Sequence, residues 1–110
     1  PVNTQNSLVN TPLAWQVNWL PVGFKPISSS RQVIPVGQGQ EEVESQLFSD
    51  GLSTFTVYLR SQGDEAFNNQ FSRQEKLILF THVLGNREVV VIGDIPMSVA
   101  EHIAQSVVFR

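Results

Sequence analysis

Side chains able to do acid–base or metal chemistry are few in this sequence, and they are scattered along it. The chain has two histidines, His82 and His102, and no cysteine. A metal site or a general base would need such side chains to converge with further ligands or carboxylates. Neither histidine has such a neighbour, and three of the carboxylates have simpler roles: Asp50 lies in a turn, Asp94 precedes Ile-Pro, and Glu101 lies at a helix start. The sequence therefore predicts no catalytic residues, no metal site and no cofactor.

Two short motifs resemble phosphate-binding or catalytic signatures only in part. Gly37 and Gly39 are separated by one residue, as in phosphate-binding loops, but they open no predicted helix and no lysine follows them. Ser49 precedes Asp50 and Gly51 but lacks the Gly-x-Ser-x-Gly turn of hydrolases. We interpret both motifs as turns, so an enzyme is the least favoured class of function.

Aromatic side chains are the more informative group. Trp15, Trp19 and Phe24 lie within one short segment. Aromatic residues dominate buried area in protein cores, and tryptophan is also enriched in the strongest contacts of protein interfaces. The segment is therefore either a cover for part of the core or a docking surface. We take Trp19, Phe24 and Tyr58 as candidate partner-binding residues, with a core position as the alternative for each.

Length and composition exclude several classes of protein. The chain has 110 residues, a formal net charge of −3, 41% hydrophobic residues and 15% charged residues. This length is typical of one domain. Without a run of lysine or arginine there is no electrostatic basis for binding nucleic acid or an anionic membrane surface. No apolar stretch approaches the ~20 residues that span a bilayer, so we expect neither a nucleic-acid partner nor direct membrane insertion.

The elements that must position the aromatic side chains are predicted to be mainly strands. Residues 1–13 are polar and rich in turn formers, which predicts a linker. Residues 14–20 alternate in polarity, as a half-buried strand does. Residues 27–42 lack a clear period and predict a mobile loop, and residues 62–74 predict a polar connection.

Residues 43–61 predict a β-hairpin around a turn that contains Gly51. A two-residue loop would place Val57 opposite Glu44, whereas a three-residue loop places Val57 opposite Val43. Because a slip of one residue turns a whole strand over, the match of apolar side chains decides the register. We expect the three-residue loop, with Gly51 in the left-handed conformation.

A second hairpin is predicted over residues 76–93. The dipeptide Gly85-Asn86 is typical of a two-residue turn between two apolar strands. In this register Phe80 lies opposite Val91, and Leu79 lies opposite Ile92. The strands are therefore apolar on both faces, as central strands of a sheet covered on both sides are.

The chain ends in a predicted helix. Ser98 and Glu101 have the spacing of a capping box, and apolar residues recur every fourth position from Val99 to Val107. A helix of about ten residues is only ~15 Å long and can cover one face of a sheet. Either residues 15–24 cover the other face, or something outside this chain does. The elements together predict an α+β domain: an antiparallel, largely meandering sheet of about five strands with a C-terminal helix packed on one face.

Three motifs in this order resemble a known family. They are WQVNWLPVGF (residues 15–24), FSDGLSTFTV (residues 48–57) and VVIGDIP (residues 90–96), the last followed by AEHIAQSV (residues 100–107). Together they are similar to the C-terminal domain of the RseB/MucB family, the periplasmic regulators of the sigma-E envelope-stress response in Gram-negative bacteria. The resemblance covers about residues 14–108. Asp94 and Met97 depart from the usual form of the last motif.

The resemblance implies a domain arrangement and a partner. Residues 14–110 would be the small C-terminal domain, and the lipoprotein-carrier-like N-terminal domain of the parent protein would be absent from this chain. The domain would bind the periplasmic region of a membrane-bound, RseA/MucA-like anti-sigma factor and shield it from proteolysis, as a negative regulator in the periplasm. The parent protein's own N-terminal domain would be a second partner, and self-association is left open. The alternative function is a carrier or sensor of lipids or lipoproteins.

Overall fold

A computed structural model of the chain describes residues 13–36, 38–61 and 77–110. The predicted linker at 1–13 lies outside these ranges except for Leu13, and the predicted connection at 62–74 lies wholly outside them. The elements within the ranges are, in order, β1 (Trp15–Val17), β2 (Lys25–Val36), β3 (Gly39–Ser49), β4 (Thr54–Ser61), β5 (Ile78–Leu84), β6 (Arg87–Gly93), α1 (Met97–Gln105) and β7 (Val107–Phe109).

The strands form two antiparallel sheets. The larger has the order β2-β3-β4-β6-β5, and β1 pairs with β7 in a separate two-stranded sheet. The helix α1 packs on β5 and β6. The predicted α+β class, with a five-stranded antiparallel sheet and a C-terminal helix on one face, is confirmed. The set and order of strands in this sheet differ from the prediction. The strand at Trp15 belongs to the small sheet, and β6 instead of β5 lies beside β4.

The prediction of a mobile loop over residues 27–42 is wrong. This stretch forms most of β2 and the start of β3, which pair along their length apart from one bulge. The hydroxyls of Ser30 and Ser45 lie 2.9 Å apart across the pair, and Arg31 binds Glu44. Polar cross-strand pairs of this kind stabilise a sheet without apolar alternation, so the pattern of the sequence did not reveal the strands.

The β3–β4 hairpin adopts neither of the two registers considered from the sequence. Val57 pairs with Gln46, so the expected pairing of Val57 with Val43 is wrong. Phe48 instead pairs with Phe55, and their rings stack with centroids 5.0 Å apart. This register places both rings in the core beneath the helix, where aromatic packing outweighs the matching of smaller apolar side chains.

The turn of this hairpin runs from Asp50 to Ser53. The Asp50 carboxylate accepts hydrogen bonds from the backbone N–H groups of Leu52 at 2.9 Å and Ser53 at 2.7 Å. Gly51 has a φ of 96°, so its predicted left-handed conformation is confirmed. The three-residue loop is wrong because the aspartate closes a longer turn with its own side chain, as aspartates often do.

The β5–β6 hairpin is confirmed in both turn and register. Phe80 pairs with Val91 and Leu79 with Ile92, and Gly85 has a φ of 66°, as a two-residue turn requires. Of the two strands of this hairpin, β6 is central in the sheet, whereas β5 lies at its edge.

The start of α1 differs from the prediction. The helix begins at Met97, with Pro96 in the extended conformation before it and no side-chain capping bond. The carbonyl of Pro96 accepts the N–H groups of Val99 at 3.1 Å and Ala100 at 3.0 Å. The predicted capping box at Ser98 is therefore wrong, because this residue already lies inside the first turn.

The helix packs closely against the sheet. Ala100, Ile103 and Ala104 are buried, and the two alanines allow a close approach because their side chains are short. Val107, expected to continue the helical stripe, is buried in β7 instead. No helix within residues 13–36, 38–61 and 77–110 is long and apolar enough to cross a membrane.

The segment of residues 15–24 lies on the helix side of the sheet. Trp15 is 1% exposed and belongs to the same core cluster as Ile103 of the helix. Trp19 and Phe24 pack against this cluster from outside. One of the two alternatives, that this segment covers the far face of the sheet, is therefore wrong.

The far face is closed at its centre within the chain itself. Val43, Val90 and Ile92 are buried there, with Tyr58 and Leu79 packed against them. The other alternative, that something outside the chain must cover this face, is therefore also wrong. The apolar side chains on both faces of β6 are therefore buried without a partner.

An ion-pair cluster extends the far face beyond its apolar centre. The Arg60 side chain is fully buried, with one guanidinium nitrogen 3.1 Å from Glu41 and another 3.4 Å from Glu88. Two nitrogens of Arg60 bind the two oxygens of Glu41, which is the bidentate geometry that suits guanidinium and carboxylate. The buried charge is thus paired, as a charge removed from water must be.

Replacing Gly51 with valine should lower the free energy of unfolding by more than about 1 kcal/mol, because a β-branched side chain resists positive φ. A Cβ at Gly51 would meet no heavy atom within 4 Å, so the effect is conformational and not steric. Gly39→Val is the matched control: a Cβ there also has no neighbour within 4 Å, and the residue lies in a strand. Chemical denaturation measures the free energy of unfolding of both variants. Equal midpoints for the two variants would contradict the assigned turn.

Asp50 should contribute a pH-dependent part of the stability. Hydrogen bonds from the N–H groups of Ser53 and Leu52 lower the pKa of its carboxyl from the ordinary value of 3.8. A carboxyl with a lowered folded pKa stabilises the fold above its unfolded pKa, and this stability is lost as the pH falls through the folded pKa. The melting temperature of the wild type should therefore exceed that of Asp50→Asn at neutral pH, and the difference should shrink in the acid range below 3.8. A difference independent of pH would contradict the assigned bonds.

Candidate partner-binding surface

The three candidate residues do not share one surface. Trp19 and Phe24 pack against the core on the helix side, whereas Tyr58 packs against the cluster on the far face. All three are half-buried. Because the sheet separates the two sides, a flat partner surface can include Trp19 or Phe24, but not Tyr58 as well.

Trp19 stacks on a histidine of the helix. The ring centroids of Trp19 and His102 are 3.7 Å apart, and the two planes differ by 12°. His102 is exposed, and Trp19 is half-buried. The pair therefore presents a flat aromatic surface to solvent with little freedom to rotate.

The main chain holds Trp19 in place at the end of α1. Its N–H donates to the Ser106 hydroxyl at 3.1 Å, and the N–H of Asn18 donates to the Ser106 carbonyl at 3.1 Å. The Ser106 hydroxyl in turn donates to the carbonyl of Ile103 at 2.8 Å. One serine thus joins the aromatic segment to the last turn of the helix.

Two further exposed apolar residues follow this serine along the chain. Val108 and Phe109 of β7 are exposed, and β7 pairs with β1, in which Phe109 lies opposite Trp15. We call Trp19 and His102 the helix-end surface; Val108 and Phe109 are successive strand residues, so their side chains lie on opposite faces of the small sheet. The sequence analysis missed Val108 and Phe109, because it expected a helix as far as Val107 and no strand after it.

Phe24 and Tyr58 are more deeply integrated into the fold. The Phe24 ring lies 5.1 Å from that of Phe55, and the Phe24 N–H donates to Pro21 in a turn. Burial raises the pKa of the Tyr58 hydroxyl, and a hydrogen bond with Thr56 opposes this rise. Both side chains contribute to packing, which was the alternative considered for each.

Glu44 is a residue that sequence reasoning missed. One of its carboxylate oxygens accepts the indole N–H of Trp15 at 2.8 Å, and the other lies 2.8 Å from Arg31. The three residues lie on different strands and are distant in sequence, so no local pattern signals the contact. The bonds connect β1 to both β2 and β3 and anchor the aromatic segment to the large sheet.

The titratable residues that the structure describes do not converge into a metal centre. Among the described residues, no group of three histidine, cysteine, aspartate or glutamate side chains could hold a metal ion. His102 stacks on Trp19, and His82 lies on β5 opposite Val89. The exposed features of the site are aromatic and apolar side chains, which suit protein binding.

The fold defines the class of protein: a small α+β domain in which one helix and an aromatic segment close the same side of an antiparallel sheet. Residues 9–108 match the MucB/RseB C-terminal domain family. The chain belongs to this family.

Curated relatives carry regulatory names. The sigma-E factor regulatory protein RseB of Haemophilus influenzae is 33% identical over 98 residues, which are 89% of this chain and 30% of that protein. RseB of Escherichia coli K12 is 33% identical over 96 residues, or 87% of this chain and 30% of that protein. The sigma factor AlgU regulatory protein MucB of Pseudomonas aeruginosa is 27% identical over 99 residues, or 86% of this chain and 31% of that protein. The chain thus spans about a third of the length of these relatives, and the family is one of regulatory binding proteins.

Solved structures share the fold. MucB in complex with MucA(peri) superposes with a TM-score of 0.66 at 23% identity, covering 91% of this chain and 38% of that one. The MucA/MucB complex of Pseudomonas aeruginosa gives a TM-score of 0.64 at 23% identity, covering 91% of this chain and 36% of that one. At this level of identity the likeness establishes the fold.

Replacing Glu44 with alanine should lower the free energy of unfolding by about 1–3 kcal/mol, because the buried indole N–H of Trp15 loses its acceptor. Glu42→Ala is the matched control on the same strand. Glu42 lies 3.4 Å from Arg31, but its side chain is 60% exposed, and an exposed ion pair contributes about 0–1 kcal/mol. Denaturant titration of both variants tests the difference, and equal effects would contradict the anchoring role of Glu44.

Proposed function

We propose that this chain is a non-catalytic regulatory domain that binds the periplasmic region of a membrane-bound anti-sigma factor. By binding, it shields that region from proteolysis and keeps the sigma-E envelope-stress response off. It acts in the periplasm. The observation that carries the proposal is membership of the MucB/RseB C-terminal domain family over residues 9–108. The names of the relatives, and the MucB complex with MucA(peri) that shares the fold, support it.

A further domain belongs to the same proposal. The relatives are about three times as long as the stretch that this chain matches. We propose that a carrier-like N-terminal domain accompanies the domain in the parent protein and contributes to partner binding. The small domain then supplies one part of a composite interface.

Within this domain the helix-end surface is the favoured contact site. The Trp19 ring stacks on His102, and Ser106 accepts the backbone N–H of Trp19, so part of the ordering is already present before a partner binds. Phe24 and Tyr58 are proposed as weaker contributors, because their rings already pack against the core.

The alternative, a domain that carries an acyl chain between sheet and helix, finds no support in the packing. Ala100, Ile103 and Ala104 are fully buried against the sheet. A lipid site needs a wide apolar cavity, whereas these side chains fill the space beneath the helix. Mass spectrometry of the purified chain that detects a stoichiometric acyl lipid would favour the alternative.

The isolated chain should bind the anti-sigma factor's periplasmic region measurably but more weakly than the full-length parent protein. Trp19→Ala should weaken this binding by about tenfold, or ~1.4 kcal/mol, because truncating an interface tryptophan removes a large contact area. Isothermal titration calorimetry measures both affinities.

Val33→Ala is the control for this experiment. Val33 is 61% exposed and lies on β2, away from the helix-end surface, so its truncation should leave the affinity unchanged. If no binding heat is detected, this domain does not contribute to the interface. Equal losses for the two variants would instead refute the helix-end surface while leaving the function in place.

A further inference from the structure

Three turns meet at one end of the domain, and each belongs to one of the motifs WQVNWLPVGF, FSDGLSTFTV and VVIGDIP. The first turn spans residues 21–24, and the second spans residues 50–53. A Cβ added at Gly23 would lie 3.7 Å from the Cβ of Asp50, so these two turns are in contact. The third turn joins them through Asp94, whose N–H donates to the carbonyl of Thr54 at 3.2 Å. The ends of the three motifs therefore come together at one end of the sheet.

Hydrogen bonds fix the shape of the first two turns. The N–H of Phe24 donates to the carbonyl of Pro21 at 3.1 Å, and Gly23 has a φ of 90°, as in a type II turn. In the second turn the N–H of Gly51 donates to the Ser49 hydroxyl at 3.0 Å, beside the two N–H groups that bind the aspartate carboxylate. Both turns are therefore ordered without a partner, which lowers the cost of binding one.

Each of these two turns carries an aliphatic side chain that packing does not explain. Val22 is 100% exposed, and Leu52 is 94% exposed. A single exposed apolar residue is ordinary on a protein surface. Two of them on turns that touch form a group, and grouped exposed apolar residues often mark sites of interaction. We call Val22, Asp50 and Leu52 the two-turn surface.

The two-turn surface and its surroundings carry net negative charge. The N–H groups of Leu52 and Ser53 both bind Oδ1 of Asp50, so Oδ2 can still accept a hydrogen bond from a partner. Asp94 adds an exposed carboxylate at the same end of the domain, and Lys25 at the start of β2 offsets one of the two charges. A basic side chain complements such a surface, because its aliphatic stem can lie on apolar neighbours while its charged end reaches a carboxylate.

We propose that the two-turn surface binds a lysine or arginine side chain, flanked by apolar residues, in the periplasmic region of the anti-sigma factor. This inference rests on the proposed function and names the chemistry that the domain recognises in its partner. The position of the surface supports it, because Val22 follows Trp19 by three residues, or at most ~11 Å of extended chain. One extended partner segment can therefore contact the helix-end surface and the two-turn surface together.

Opposite charges at Leu52 test the proposal. Leu52→Lys should weaken binding of this chain to the anti-sigma factor's periplasmic region by about tenfold or more, because it repels the basic side chain of the partner. Leu52→Glu should weaken it by less than about threefold, since the added negative charge offsets the lost apolar contact. Both variants should remain folded, because the side chain they replace is exposed. Isothermal titration calorimetry measures the affinities, and circular dichroism checks the fold.

The salt dependence of binding tests the role of Asp50. Asp50→Asn removes the charge and keeps an amide oxygen that can accept the same two N–H groups. The affinity of the wild type should fall as the salt concentration rises, because salt screens exposed charges. Asp50→Asn should bind about threefold more weakly at low salt and should depend less on salt. Val33→Lys, towards the other end of β2 from Lys25, is the control and should leave the affinity unchanged.

The outcomes separate this inference from the proposed function. If the wild type binds and the variants at Leu52 bind equally well, the two-turn surface is not a contact, although the proposed function stands. Equal losses for Leu52→Lys and Leu52→Glu would mean that the surface meets no basic side chain, which also contradicts the inference. If sedimentation equilibrium shows that Leu52→Glu abolishes self-association of the wild type, the occupant is a second copy of the chain and the inference is again wrong. If the wild type does not bind at all, both proposals are wrong.

Discussion

The fold depends on one half-buried carboxylate that accepts a hydrogen bond from the core. The indole of Trp15 lies in the core, and its N–H needs an acceptor there, because an unpaired buried donor costs about 1–3 kcal/mol. Glu44 supplies this acceptor, and Arg31 compensates the charge of Glu44. A glutamate must therefore face the helix side of β3, where an apolar residue would be expected. This requirement is consistent with the register of β3 against β4, in which Glu44 lies opposite Leu59.

That register divides the molecule into two differently closed sides. On the helix side, aromatic rings and the short side chains of α1 fill the core. On the far side, three buried aliphatic residues and the paired Arg60 close the centre of the sheet. Neither sheet face is a bare apolar surface, so binding must use places where packing is incomplete. Two such places are the end of the helix beside Trp19 and the two turns that carry Val22 and Leu52.

These two places lie close together along the chain and suit different kinds of contact. The Trp19–His102 stack offers flat aromatic area with fixed geometry, which favours side-chain recognition of a protein partner. The two-turn surface offers two aliphatic side chains beside the Asp50 carboxylate, which favour a basic side chain with an apolar stem. This division of roles accords with a small domain that forms about a third of its relatives.

The sequence by itself determined the features that depend on neighbouring residues. The β5–β6 hairpin was predictable in full, because Gly85-Asn86 and two apolar strands specify turn and register within one short stretch. The left-handed Gly51 and the α+β class were predictable for the same reason, and three motifs in order along the chain were enough to identify the family. Only the tertiary structure decided the strands over residues 27–42, the β3–β4 register and the position of residues 15–24. These depend on contacts such as Trp15 with Glu44, whose free energy comes from residues distant in sequence and so leaves no local pattern to read.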